Sequence, residues 1–219
     1  MAELYFSKPE CWAPGLEDND SLWQQWSAGK IQIQNSCDAP KLEFTTPVFR
    51  RRLSQISKMT IQVVHALTEK IECKNLKQVF VSTRGEINRE LQINSQLIND
   101  KEILPAAFSL SVFNAPVALA TLACKLTAGY SVMFPSRENF YDALCCACSP
   151  VLCGDEKEII FIYADECVPQ EYSSVLKKEF LPFSFACVIS SEKKDGWKKA
   201  ELPNFANSTF EEFLKYLLT

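Results

Sequence analysis

The 219-residue chain is 47% hydrophobic and 23% charged, with a formal charge of -4 and a pI near 5.2. That is enough apolar material for one large α/β core or two small domains, and it excludes disorder as the default state. The acidic balance gives no bulk attraction to nucleic acid or anionic lipid, and no window approaches the ~18 uncharged apolar residues of a membrane span.

Residues 3–7 read as a short strand. A polar excursion follows at about 12–47, carrying the helical insert SLWQQWSAG, whose Leu22, Trp23 and Trp26 recur at three-to-four spacing and seat it on the body. Arg50, Arg51 and Arg52 form a candidate basic patch, but a short charge run without interleaved aromatics reads as a solvated helix end, not a nucleic-acid site. From Leu53 to Ile71 the apolar positions Leu53, Ile56, Val63, Val64, Leu67 and Ile71 keep a helical period. The only histidine, His65, lies mid-helix and reads as structural or surface, since such a position is poorly placed for a sheet-edge crevice.

LKQVFVST at 76–83 has the β-branched and aromatic density of a strand, punctuated by Gly85, and Glu86 to Ile98 reads as a moderately amphipathic helix. A more apolar helix is expected from about Ser111 to Leu126, ended by Gly129. Its small residues Ala115, Ala118, Ala120 and Ala123 let another backbone approach closely. Residues 130–134 predict a strand, followed by a helix from about Arg137 to Ala147 capped by Ser136. The turn Gly154-Asp155 precedes IIFIYAD at 159–165, a run of the length of a fully buried strand. A last strand at 184–190 leads to the helix STFEEFLKYLL, with Ser208 and Glu211 spaced as a capping box. Buried strands alternating with helices predict one α/β domain over 1–219, a sheet covered by helices on both faces.

Candidate chemistry is sparse. Cys145, Cys146, Cys148 and Cys153 cluster, but they lie in or just after a predicted helix without the paired CxxC spacing of a zinc site, so they read as small buried hydrophobes and no metal is expected. Ser82-Thr83-Arg84-Gly85-Glu86 ends a strand, where open sheets bind ligands, yet it lacks the glycines of a phosphate loop and no nucleotide or other cofactor is expected. Asp165 and Glu166 are adjacent on extended backbone and point apart, so they are not a paired acid and base unless a turn redirects them. A cysteine at a helix N-terminus gains nucleophilicity from the dipole and unpaired N–H groups, but the helix start at 136–138 offers Ser136 and Arg137 instead.

TPVFRRRLSQISKM, VFVSTRGEI, LPAAFSLSVFNAPVALA, FYDALCCA and IIFIYADE occur in the order found in β-ketoacyl synthase-like N-terminal domains of the thiolase superfamily. The chain resembles the short chain-length-factor-like subunits of aryl polyene and type II fatty-acid or polyketide systems, from Trp12 to the last helix. The resemblance implies a thiolase-like half with a five-stranded mixed sheet between helices, dimerising through an edge strand at Tyr130 to Phe134 with helix 111–126 nearby. It places the family's nucleophilic cysteine before Ala143, Leu144 and Ala147, at Arg137 or Ser136, where this chain has none. The two histidines that assist condensation belong to a second half. Related short proteins read SVHNA with a glycine shortly after, positions taken here by Phe113 and Ala118.

These departures imply a non-catalytic partner of a ketosynthase that shapes an interface or acyl tunnel through Phe113, Asn114, Ala118, Met133 and Phe134, with Arg137 at the vacated nucleophile position. Heterodimerisation is the expectation, with self-association and acyl carrier protein contact as further possibilities. The alternatives are an acyl transferase or thioesterase using Ser136 or one of Cys145, Cys146 and Cys148, or a stand-alone module binding lipid, acyl groups or a carrier protein. The opening MAELYFSKPECW lacks the basic flank and apolar run of a signal peptide, so a cytoplasmic location with reduced thiols is expected.

Overall fold

The computed structural model describes residues 3–135, 139–172, 174–175 and 180–219. The chain runs β1 (Leu4–Phe6), β2 (Glu10–Trp12), α1 (Asp20–Ser27), α2 (Pro47–Arg50), α3 (Gln55–Lys70), β3 (Lys77–Val81), α4 (Ile87–Asp100) and α5 (Pro105–Phe108). It continues through α6 (Ala115–Cys124), β4 (Tyr130–Met133), α7 (Phe140–Leu152), β5 (Glu158–Asp165), β6 (Phe183–Ser190), β7 (Lys198–Ala200) and α8 (Phe210–Leu218). Among the described residues no helix is long and apolar enough to cross a membrane.

The two eight-residue strands β5 and β6 are almost wholly buried and pair antiparallel at the centre of the sheet. Their alternate residues serve two cores, as a period of two requires. Ile159, Phe161 and Tyr163 of β5, with Phe183, Phe185, Cys187 and Ile189 of β6, join a cluster with α7 and α8. Ile160, Ile162 and Ala164, with Ala186 and Val188, join the opposite cluster with α3 and α6. Helices therefore cover both faces, as expected.

The sheet is mixed, with strand order β4-β3-β5-β6-β1-β7 and β2 also paired to β6. Its count among the described residues is seven, not the expected five. Both additions are three residues long and lack any strand-like sequence signal. In place of one strand at 3–7, the chain lays β1 and β2 in succession along β6, interrupted at Ser7 to Pro9. Pro9 has no N–H for a ladder, and Ser7 fills the gap: its N–H donates to Val188 O (2.9 Å) while its Oγ accepts from Val188 N (2.9 Å). β7 is the lysine-rich KKA, recruited to the far edge by pairing with β1.

Local signals shifted several boundaries. The terminal capping box is one residue later than expected: Thr209 Oγ1 accepts from Glu212 N (3.2 Å) and Glu212 Oε2 accepts from Thr209 N (2.7 Å). The helix expected from Ser111 starts at Ala115 and stops at Lys125, which takes the left-handed conformation expected of Gly129 and returns its N–H to Thr121 O. Gly129 instead turns the chain into β4, its carbonyl accepting from Gln78 N (3.1 Å). α7 starts at Phe140, capped by Asn139, whose side chain accepts from Tyr141 N (3.1 Å). Ser136 and Arg137 lie outside the described residues.

Phe213 of α8 is the hub of one face, meeting Phe6, Phe140 and Phe205 at ring-centroid distances of 5.1–5.4 Å and Phe161 and Phe185 just beyond. Truncating a fully buried aromatic costs about 3–5 kcal/mol through lost burial and the cavity left behind. Phe213→Ala is therefore expected to lower stability by roughly that amount, read from the denaturation midpoint in urea.

Candidate functional site

The parallel register of β3 against β5, with Val81 opposite Tyr163, brings the residues just beyond β3 to the end of β5. Asp165 is buried there and collects the adjacent turn. It accepts from Ser82 Oγ (2.7 Å), Thr83 N (2.9 Å), Arg84 N (3.2 Å) and Tyr163 Oη (2.5 Å), and from the Thr83 hydroxyl. Burial raises its carboxyl above the ordinary range, while the hydrogen bonds from Ser82, Thr83 and Tyr163 pull the other way.

Glu166 points elsewhere, as alternation on extended backbone requires, so the two acids are no catalytic pair. Its carboxylate sits between the N-termini of α3 and α4, accepting from Ile56 N (3.4 Å) and Asn88 N (2.9 Å). These are orphan donors that a helix cannot satisfy internally. Beside it, Glu86 is fully buried and accepts from Ser54 Oγ (2.7 Å), Ser57 Oγ (2.6 Å) and Arg89 Nε (3.4 Å). Burial, reinforced by the neighbouring Glu86 charge, pushes the Glu166 carboxyl up to about 7 against the pull of the Asn88 N–H. Burial likewise raises Glu86, opposed by Ser57, Ser54 and Arg89. The sequence places Glu86 at the opening of α4, last in the strand-end segment 82–86. Nothing in the spacing tied it to Ser54 and Ser57, which lie on another element.

Most of the expected partner-facing residues come together at the edge strand. β4 is the terminal strand of the sheet and pairs on one side with β3. Phe113 and Phe134 meet edge to face at 6.2 Å, and Asn114 Nδ2 donates to Tyr130 Oη (3.0 Å). Met133 lies opposite Val81, with its carbonyl accepting from Ser82 N (3.3 Å), so this edge is continuous with the turn that Asp165 holds. Ala118 is half-buried on α6, the helix that packs on α3 through Val117, Ala120 and Cys124. Phe134 is 56% exposed and Leu122 of α6 is 72% exposed, with Tyr130 also open. Phe113 in turn rests on Gly85, where a Cβ would lie 2.5 Å from the ring, and Gly85 holds φ +60. Tyr130 as the partner of Asn114 was missed, because only the turn between α6 and β4 juxtaposes them.

The remaining candidates separate. His65 stacks on Phe44 at 3.6 Å on the outer side of α3, in keeping with a surface role. Of the clustered cysteines only Cys148 is buried. Cys146 and Cys153 are exposed and Cys145 is half-buried, because successive helical positions cannot share one face. Among the described residues no group of three or more His, Cys, Asp or Glu is placed to hold a metal ion.

A family model described as "Beta-ketoacyl synthase, N-terminal domain" matches residues 23–212. The chain belongs to this family. Among curated proteins no significant match is found. Among solved structures, the β-ketoacyl synthase-like fold is shared with a chain of the ketosynthase ApeO in complex with its chain length factor ApeC from Xenorhabdus doucetiae. That match has a TM-score of 0.79 and 23% identity, covering 100% of this chain and 92% of that one. The ishigamide ketosynthase/chain length factor matches with a TM-score of 0.67 and 11% identity over 88% of this chain. A type II polyketide ketosynthase bound to the hexaketide, in complex with its acyl-carrier protein, matches with a TM-score of 0.63 and 12% identity over 86%. The chain spans 63% of the length of each of these last two. These likenesses establish the thiolase-like fold. The extra edge strands β2 and β7 enlarge the five-stranded sheet without altering its layers.

Two outcomes follow from this geometry. Gly85→Ala should cost roughly 2 kcal/mol or more, since it adds left-handed strain to the clash with Phe113; in a Phe113→Ala background the clash goes and about 1–2 kcal/mol of strain remains. A double-mutant cycle in urea measures both. Glu166 binds its proton more tightly folded than unfolded, so its contribution to stability is full below about pH 4.5 and is lost as pH rises through about 7. Glu166→Gln should flatten the decline in Tm between pH 5 and pH 8, removing on the order of 3 kcal/mol of pH dependence.

Proposed function

We propose that this chain is a non-catalytic, chain-length-factor-like subunit that pairs, as a single domain, with a cytoplasmic ketosynthase of fatty-acid, polyketide or aryl polyene biosynthesis. The observation that carries the proposal is the edge at β4, where Tyr130 and Phe134 are exposed at either end of a strand with no neighbour beyond it among the described residues, while Leu122 is exposed on α6, the helix whose N-cap Asn114 bonds Tyr130. Such an edge is a template for pairing with another chain, and exposed apolar side chains on it favour a lasting contact over solvent exposure. The likeness to a chain of the ApeO–ApeC complex, covering nearly all of both chains, supports the same reading.

In this reading Phe113, Asn114, Ala118, Met133 and Phe134 form the partner-facing wall. Phe113 and Phe134 supply rigid aromatic area, and Asn114 fixes the Tyr130 ring through its hydrogen bond. Arg137 or Ser136 stands where the family resemblance puts the nucleophilic cysteine, and the first cysteine after them, Cys145, lies well inside α7. A thiol there lacks the unpaired N–H groups of a helix start, so the chain by itself should not condense acyl groups.

Co-expression with the ketosynthase of its own genome should give a stable 1:1 complex by size-exclusion chromatography with light scattering. Leu122→Glu and Phe134→Lys should each weaken association at least tenfold while leaving the isolated chain's Tm within a degree or two, because both side chains are already exposed. A chain that stays monomeric with no ketosynthase bound, or a complex indifferent to both substitutions, would overturn the proposal.

A further inference from the structure

Cys37 lies in the excursion ahead of α2 and Cys167 just beyond β5, and one carboxamide brings them together. Gln55, the first residue of α3, donates through Nε2 to the carbonyls of Ser36 (2.8 Å) and Asp38 (2.7 Å), the two residues flanking Cys37. Its Oε1 accepts from the Cys167 amide (2.8 Å). The carbonyl of Cys167 is held in turn by Asn88 Nδ2 (2.6 Å). Backbone on both sides of Cys37 is thus clamped one side chain away from the backbone of Cys167, and the two thiols are close enough to interact. Both line one cleft of about 470 Å³, with Cys37 open to solvent and Cys167 6% exposed.

We propose that Cys37 and Cys167 form an oxidisable dithiol, which a peroxide converts to an intramolecular disulfide that locks the segment around Cys37 onto the carboxyl end of β5. Access sets the order of events. Burial holds the Cys167 thiol up at about 12, so the exposed Cys37 reacts first. The Cys37 thiolate attacks one peroxide oxygen: an S–O bond forms, the O–O bond breaks, and the departing oxygen leaves as water once protonated. The Cys167 sulfur then attacks the Cys37 sulfenic acid. The S–S bond forms, the S–O bond breaks, and a second water carries away the remaining thiol proton. Two thiols lose two electrons and the peroxide is reduced to two waters. The step concerns a cleft remote in sequence from β4 and stands independently of ketosynthase pairing.

The test uses the isolated full-length chain and hydrogen peroxide, so its outcome does not depend on any partner. After oxidation and alkylation of the remaining thiols, non-reducing tryptic digestion should yield the Cys37 peptide joined to the Cys167 peptide, lighter by two hydrogens than the sum of the two. The oxidised chain should melt several degrees higher, because the crosslink closes a long loop in the unfolded state, and dithiothreitol should reverse the change. Cys37→Ser should abolish both effects, and Gln55→Ala should slow crosslinking several-fold. Overoxidation of Cys37 to sulfinic acid with Cys167 still free to alkylate after unfolding would overturn the proposal. So would Cys37 joined to a different cysteine, or a rate unchanged by Gln55→Ala.

Discussion

The adjacent carboxylates at the end of β5 are the constraint on which this end of the molecule depends. A buried carboxylate is tolerated only when hydrogen-bond donors replace the water it gives up. Asp165 obtains donors from the turn after β3, and Glu166 obtains them from the first turns of α3 and α4. The requirement runs both ways, since those backbone N–H groups also need acceptors. Satisfying it draws one strand, one turn and two helix starts to a single point. Glu86 completes the arrangement by bridging α4 to the serines at the head of α3.

The edge at β4 inherits its shape from that point. The turn that Asp165 holds includes Gly85, and the bare backbone of Gly85 lets the Phe113 ring approach it closely. Phe113 meets Phe134, and Met133 is bound to Ser82, so the partner-facing wall of the proposed ketosynthase subunit is anchored to the carboxylate clasp. An apolar edge whose side chains are already fixed by such contacts has less conformational entropy to lose on association. The same clasp positions Asn88, which holds the Cys167 carbonyl at the rim of the cleft shared with Cys37.

Much of this was legible from residue pattern because the signals were long or periodic. The helix of α3, the apolar runs of β5 and β6, the edge strand and the helices on both faces rest on hydrophobic spacing that neighbours do not override. β2 and β7 escaped because three residues carry too little pattern and their pairing is contributed by β6 and β1. The capping box lies at Thr209, not Ser208, and the cap of α7 is Asn139, since several adjacent residues can cap a helix and packing chooses among them. Clustered cysteines suggested a common buried role, yet helical geometry scatters Cys146 and Cys148 to opposite environments.

Sequence by itself determined the family, the layered α/β architecture, and the absence of a cysteine ahead of Ala143 and Leu144, because these depend on ordered motifs and residue identity. Only the tertiary structure decided which polar side chains meet. Glu86 with Ser54, Glu166 with two helix starts, Asn114 with Tyr130, and Gln55 with both Cys37 and Cys167 are pairs from separate elements, made by strand register and helix docking. No local rule encodes such contacts. They arise where buried donors and acceptors, forced together by the packing of apolar faces, must find one another to avoid the cost of remaining unpaired.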